Sequence, residues 1–151
     1  MIATATPWTA KPGCTGTYTR RYFEAGSTLV EAEVTIDGDR VWLKAWSITR
    51  SDRYGNPIRE LIAHGSLAAT PHALGIAKAR ASRVASAEAR RVAADYYRPR
   101  LARAIERMEA ARDLLDQTDL TDYRALVHRT DELEQLTAEL DHIRRMMALA
   151  A

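Results

Sequence analysis

From Gly16 onward the chain alternates apolar and polar positions with a period of two, in four runs bounded by turn residues: Thr17 to Phe23, Thr28 to Ile36, Arg40 to Thr49 and Ile58 to His64. Their content of Tyr, Val, Ile, Thr and Trp predicts strands, and the short connections predict an antiparallel β-meander of about four strands. The strongest local signal is Ile36-Asp37-Gly38-Asp39, where Asp37-Gly38 supplies the positive φ angles of a two-residue hairpin loop. With those two residues at the tip, Val34 is expected opposite Val41, Ala32 opposite Leu43 and Val30 opposite Ala45, all on one apolar face. Glu33 then faces Trp42, Glu31 faces Lys44 and Leu29 faces Trp46 on the other. A one-residue slip would scramble both faces, so the clean sorting supports the pairing. Extension through Glu24-Ala25-Gly26-Ser27 sets Tyr22 beside Leu29, Arg20 beside Glu31 and Tyr18 beside Glu33. No pattern sets the register of the fourth run, which follows Tyr54-Gly55-Asn56-Pro57.

After Thr70-Pro71, an N-cap followed by proline at the first helical position, the period changes to that of a helix. Residues 71–97 predict a long helix with Leu74, Ala81, Val84, Ala85, Val92 and Tyr96 on one side. Arg80, Arg83, Arg90, Arg91 and Arg98 gather on another. Pro99 lacks an amide donor and disfavours helical geometry at Arg98, so a break or kink is expected there. A second helix is expected from about Arg100 to Gln117, with Leu101, Ile105, Met108, Ala111 and Leu115 at helical spacing. A turn at Thr118-Asp119-Leu120-Thr121 leads to a last helix carrying Leu126, Leu133, Leu136, Leu140, Ile143 and Met147. Its 3-4-3-4 spacing from Leu133 is a short coiled-coil seam, which predicts an antiparallel helical hairpin paired within the chain or with a second copy. The expected architecture is therefore α+β: an irregular arm over residues 1–15, then one domain over 16–151 with a meander at 16–65 and a helical half at 70–151.

Composition narrows the class. With 46% hydrophobic and 28% charged residues in 151, the chain has the balance of an ordinary globular domain and matches neither a disordered tail nor a membrane protein. The lone Cys14 cannot form an intramolecular disulfide, and the N-terminal residues lack the basic start and apolar run of a signal peptide. A cytoplasmic setting without membrane contact is the expectation. Net charge is +2, unevenly spread: +1 over residues 1–70, +6 over 71–103 and −5 over 104–151. Such asymmetry suits an anionic partner, or it holds helices or subunits in register.

Candidate chemistry is sparse. His64, His72, His128 and His142 have no second histidine at i+3 or i+4, as helical metal pairs would, and Cys14 lies in the irregular arm with no histidine beside it, so neither a metal nor a cofactor is expected. Asp113, Asp116, Asp119 and Asp122 flank a helix turn, where capping explains them better than acid–base work. No phosphate-binding glycine loop or nucleophile elbow occurs. Two surfaces remain. The mixed sheet face gathers Tyr18, Arg20, Tyr22, Trp42, Lys44 and Trp46, aromatics interleaved with cations, as a protein anchor set or a stacking platform for single-stranded nucleic acid. The arginine face of the first helix could meet successive phosphates, or pair with Glu132, Glu139 and Asp141 of the last helix. The expectation is a non-enzymatic macromolecule-binding accessory protein, such as a small regulator or inhibitor of bacterial or phage origin. Direct nucleic-acid binding is the alternative, and the seam residues Leu133, Leu136, Leu140, Ile143 and Met147 are the candidates for a homodimer contact.

Overall fold

The computed structural model describes residues 5–150. Along them run five strands, β1 (Thr9–Ala10), β2 (Thr17–Ala25), β3 (Thr28–Asp37), β4 (Arg40–Ser51) and β5 (Pro57–Ala68), then two helices, α1 (Ala73–Asp116) and α2 (Tyr123–Ala150). The strands form one antiparallel sheet in sequence order, so the α+β meander holds. The unexpected strand β1 comes from the N-terminal arm, of which residues 1–4 lie outside the described residues. The chain forms two compact units that divide inside α1, between Ala93 and Ala94.

In the first unit, the β3–β4 hairpin turns at Gly38-Asp39 rather than Asp37-Gly38, and Asp37 pairs with Arg40. Only Gly38 takes a positive φ (58°), the pattern of a type II′ turn with glycine first. The pairing is displaced by two residues from expectation: Val34 meets Leu43, Ala32 meets Ala45, Glu33 meets Lys44 and Glu31 meets Trp46. An even displacement leaves every side chain on its expected face, because faces alternate residue by residue. The β2–β3 hairpin does not share this immunity. It turns at Gly26-Ser27, and Tyr22 is an extra residue bulged between the Arg21–Glu31 and Phe23–Val30 pairs. Tyr18 thus pairs with Val34 and Arg20 with Ala32, an odd displacement that carries both to the opposite face.

The first part of α1 covers the apolar face of the sheet. Ala73, Ala77, Ala81, Ala85, Ala89 and Ala93 recur every fourth residue and are all buried, so the small side chains belong to the helix. The bulk comes from Phe23, Val30, Val34 and Leu43 of the sheet. The covered side of the expected helix is right, but its centre is this alanine stripe, with Leu74 and Val84 half-buried beside it. The helix begins at Ala73, where the amide of Ile76 bonds the carbonyl of His72 at 3.1 Å, two residues later than Thr70-Pro71 suggested.

Pro99 does not end the helix, which runs unbroken from Ala73 to Asp116. Packing of the residues around the proline holds the helical geometry through it. The Arg100 guanidinium lies 3.5 Å from the Tyr96 ring centroid and donates to the Tyr96 carbonyl at 2.7 Å, while the Tyr97 ring, edge-on to Tyr96 at 5.0 Å, is buried. In the second unit, the rest of α1 and α2 form the expected helical hairpin. Ala104 and Ala111 of α1 and Leu136, Leu140 and Ile143 of α2 are buried, and Arg107 Nη1 meets Glu139 Oε2 at 3.2 Å. Asp122 caps α2 by accepting from the Ala125 amide at 3.0 Å.

Candidate functional site

The face of the sheet opposite α1's alanines is built by one side of each strand. No helix of the first unit lies on it. β4 contributes Trp42, Lys44 and Trp46, β3 contributes Glu31, Glu33 and Thr35, and β5 contributes Leu61, His64 and Ser66. Trp42 is 42% exposed and Leu61 48%, whereas Trp46 is half-buried. Cations lie over both indoles: Lys44 Nζ is 5.6 Å from the Trp46 ring and the Arg40 guanidinium 5.8 Å from Trp42. Arg40 reaches on to β5, where its Nε and Nη2 donate to Ser66 Oγ.

Three carboxylates, Glu31, Glu33 and Asp37, share the face with the indoles. Glu33 accepts from Lys11 Nζ at 2.7 Å, a bond that raises the lysine pKa above its ordinary value. Glu31 sits beside Trp46, with Arg21 Nε 3.7 Å away. Burial pushes its carboxyl above the ordinary range, and Arg21 and Lys11 pull it back. The relief is shallow, with one depression lined by Leu29, Glu31, Trp46, Ile48 and Arg59 and another by Thr35, Asp37, Trp42 and Lys44. The mixture of exposed aromatic surface, half-desolvated carboxylates and cations is suited to recognition across a flat contact.

Of the six residues expected on this face, Trp42, Lys44 and Trp46 are together on it. Tyr18, Arg20 and Tyr22 are not, because the bulge at Tyr22 inverts that part of β2. Tyr22 is buried and bonds Ser82 Oγ of α1, and the Tyr18 ring lies 4.2 Å from Lys78 Nζ, also of α1. Arg20 stacks at 5.1 Å on the Tyr22 ring, and its buried Nε has no hydrogen-bond partner among the described residues. Arg40, Arg59 and Leu61 were missed in the sequence. Alternation in Ile58 to Ser66 would have placed Arg59 and Leu61, had the bulges at Thr49 and Ile62 not hidden the register of β5.

On α1, Arg80, Arg83, Arg90, Arg91 and Arg98 are all exposed. Arg91 pairs with Glu88 at 2.6 Å, holding that carboxyl below the usual range, and Arg98, in the second unit, lies 3.6 Å from Asp95. Arg80, Arg83 and Arg90 form no ion pair among the described residues, and Glu139 pairs with Arg107 instead. Of the seam on α2, Leu136, Leu140 and Ile143 are buried, which leaves Leu133 and Met147, both half-buried, as its more open part. Among the described residues no three His, Cys, Asp or Glu side chains group as a metal site would require. No helix among them is long and apolar enough to cross a membrane. No family model matches the chain, and neither a curated protein nor a solved structure shows a significant likeness to it.

Proposed function

We propose that the protein works by binding another protein through the open face of its sheet, with Trp42 as the central anchor and Trp46, Lys44 and Leu61 around it. The observation that carries this reading is the 42% exposed indole of Trp42 on a sheet whose opposite face already buries the apolar side chains. A large aromatic held by neighbouring strands loses little conformational freedom on binding, the property of residues that dominate interfaces. Glu31 and Glu33 favour a protein over nucleic acid, because two carboxylates among the stacking groups repel phosphates. The loss of Tyr18, Tyr22 and Arg20 to the other face removes half the aromatics and one cation that a stacking platform would use. A photo-crosslinking residue in place of Trp42 should give discrete protease-sensitive adducts in cells that make the protein. Nuclease-sensitive adducts at that position would overturn the reading.

One observation favours a second binding mode. Arg80, Arg83 and Arg90 are exposed on a single helix side and form no ion pair among the described residues, which suits a polyanion held without sequence preference.

A further inference from the structure

The two edges of the sheet are treated differently. On one side β2 is closed by β1, and Thr6 bonds the carbonyl of Arg21 at 2.9 Å through its amide. On the other, β5 runs for 12 residues from Pro57 to Ala68 and, among the described residues, pairs with β4 alone. An edge strand turns roughly half of its backbone donors and acceptors away from its neighbour. No backbone hydrogen bond joins the outer side of β5 between Ile58 and Leu67 to another described residue. Edges this long are normally blunted by bulges, prolines and charges. Here Pro57 and the bulge at Ile62 disturb the first half, whereas Ala63 to Ala68 pairs regularly with Arg40 to Ala45 and carries small side chains at Ala63, Gly65, Ser66 and Ala68.

We propose that this edge accepts an extended, acidic segment of a protein partner as a sixth strand. The inference rests on the open face being a protein-binding surface and adds how the partner enters it. Charge selects the occupant. Arg59 projects from β5 beside Ile48, Arg40 reaches across from β4 to Ser66, and Lys44 pairs with His64. None of these three cations forms an ion pair among the described residues. The carboxylates of the face, Glu31, Glu33 and Asp37, lie on β3, further from this edge, and Glu60 is held by Arg50 at 2.7 Å. On an added strand, side chains facing the open side would fall next to Arg59, Leu61, His64 and Ser66 in turn. The geometry therefore asks for an acidic residue at each end of the segment and an apolar one beside Leu61, which is 48% exposed.

The test is selection of peptides about ten residues long, enough to pair along the regular part of the strand, from a random display library on the full chain. The enriched peptides, made synthetically, would then be followed by amide hydrogen exchange. Acidic peptides with alternating apolar residues are expected, weakened about tenfold or more by Arg59→Glu, and slowing exchange of β5 amides that are unprotected in the free protein. Neutral or basic peptides, no enrichment, or acidic peptides that leave β5 exchange unchanged would each overturn the proposal. Binding that Trp42→Ala abolishes without β5 protection would leave the open-face reading standing and remove the added strand. Protection of β5 by acidic peptides that Trp42→Ala does not weaken would do the reverse.

Discussion

Glu31 carries a stability cost on the open face of the sheet. Its carboxyl is half-buried beside Trp46, and burial holds its pKa above the ordinary value against the pull of Arg21. A carboxyl that holds its proton more tightly in the folded chain makes the native state bind more protons. Stability therefore increases as the pH falls from above the native value to below the unfolded one, about 4.3, and the ionised group costs stability at neutral pH. Glu31→Gln should therefore raise the unfolding temperature at pH 7, and the gain should vanish below about pH 4, where both states carry the protonated acid. Thermal unfolding at the two pH values decides it, and a gain that persists in acid would assign the effect to something other than charge. A cost retained on an open surface fits a residue kept for recognition rather than for folding. At this scale the sequence was legible where parity survived. Trp42, Lys44, Trp46, Glu31 and Glu33 kept their face although the turn moved by one position, since the pairing changed by two. Tyr18 and Arg20 did not, because one inserted residue at Tyr22 reverses everything before it, and a single strand's alternation carries no mark of a bulge.

The elements themselves were written more plainly. Four strands and the helical hairpin follow from the periods of two and of 3.6, since those periods reflect which side of each element is buried. β1 escaped notice because two residues, Thr9–Ala10, are too few to show a period. The helix through Pro99 escaped for a different reason: a local rule about proline was outweighed by side chains whose contacts appear only in the folded chain. Arg100 bonds the Tyr96 carbonyl and Tyr97 is buried, so the surroundings hold helical geometry where the residue itself opposes it. Such an offset leaves the cost in place. Pro99→Ala should accordingly stabilise the protein by about 1–3 kcal/mol in denaturant unfolding, since an interior proline costs about 3 kcal/mol relative to alanine and local distortion absorbs part of it. No gain, or a loss, would mean that the helix is interrupted there.

Across the whole molecule, charge separates what packing does not. The open face mixes both signs at close range, whereas residues 71–103 carry +6 and residues 104–151 carry −5. A mixed face selects a partner by pattern, and a run of one sign attracts any opposite polymer at low salt. The two binding modes should therefore differ in how ionic strength and substitution affect them. If Arg80, Arg83 and Arg90 each meet one phosphate, the logarithm of oligonucleotide affinity should fall against the logarithm of salt with a slope of about −3, because each neutralised phosphate contributes about −0.9 on duplex DNA. Replacing all three by alanine should flatten the slope to near zero, whereas Trp42→Ala should leave it unchanged. Fluorescence anisotropy of a labelled duplex between low and physiological salt measures both. A slope that survives the triple substitution would assign the contact to other cations. A loss of affinity on Trp42→Ala would make the sheet face the nucleic-acid surface and displace the protein-binding reading, because an anchor for a protein has no reason to contribute to a contact carried by phosphates alone.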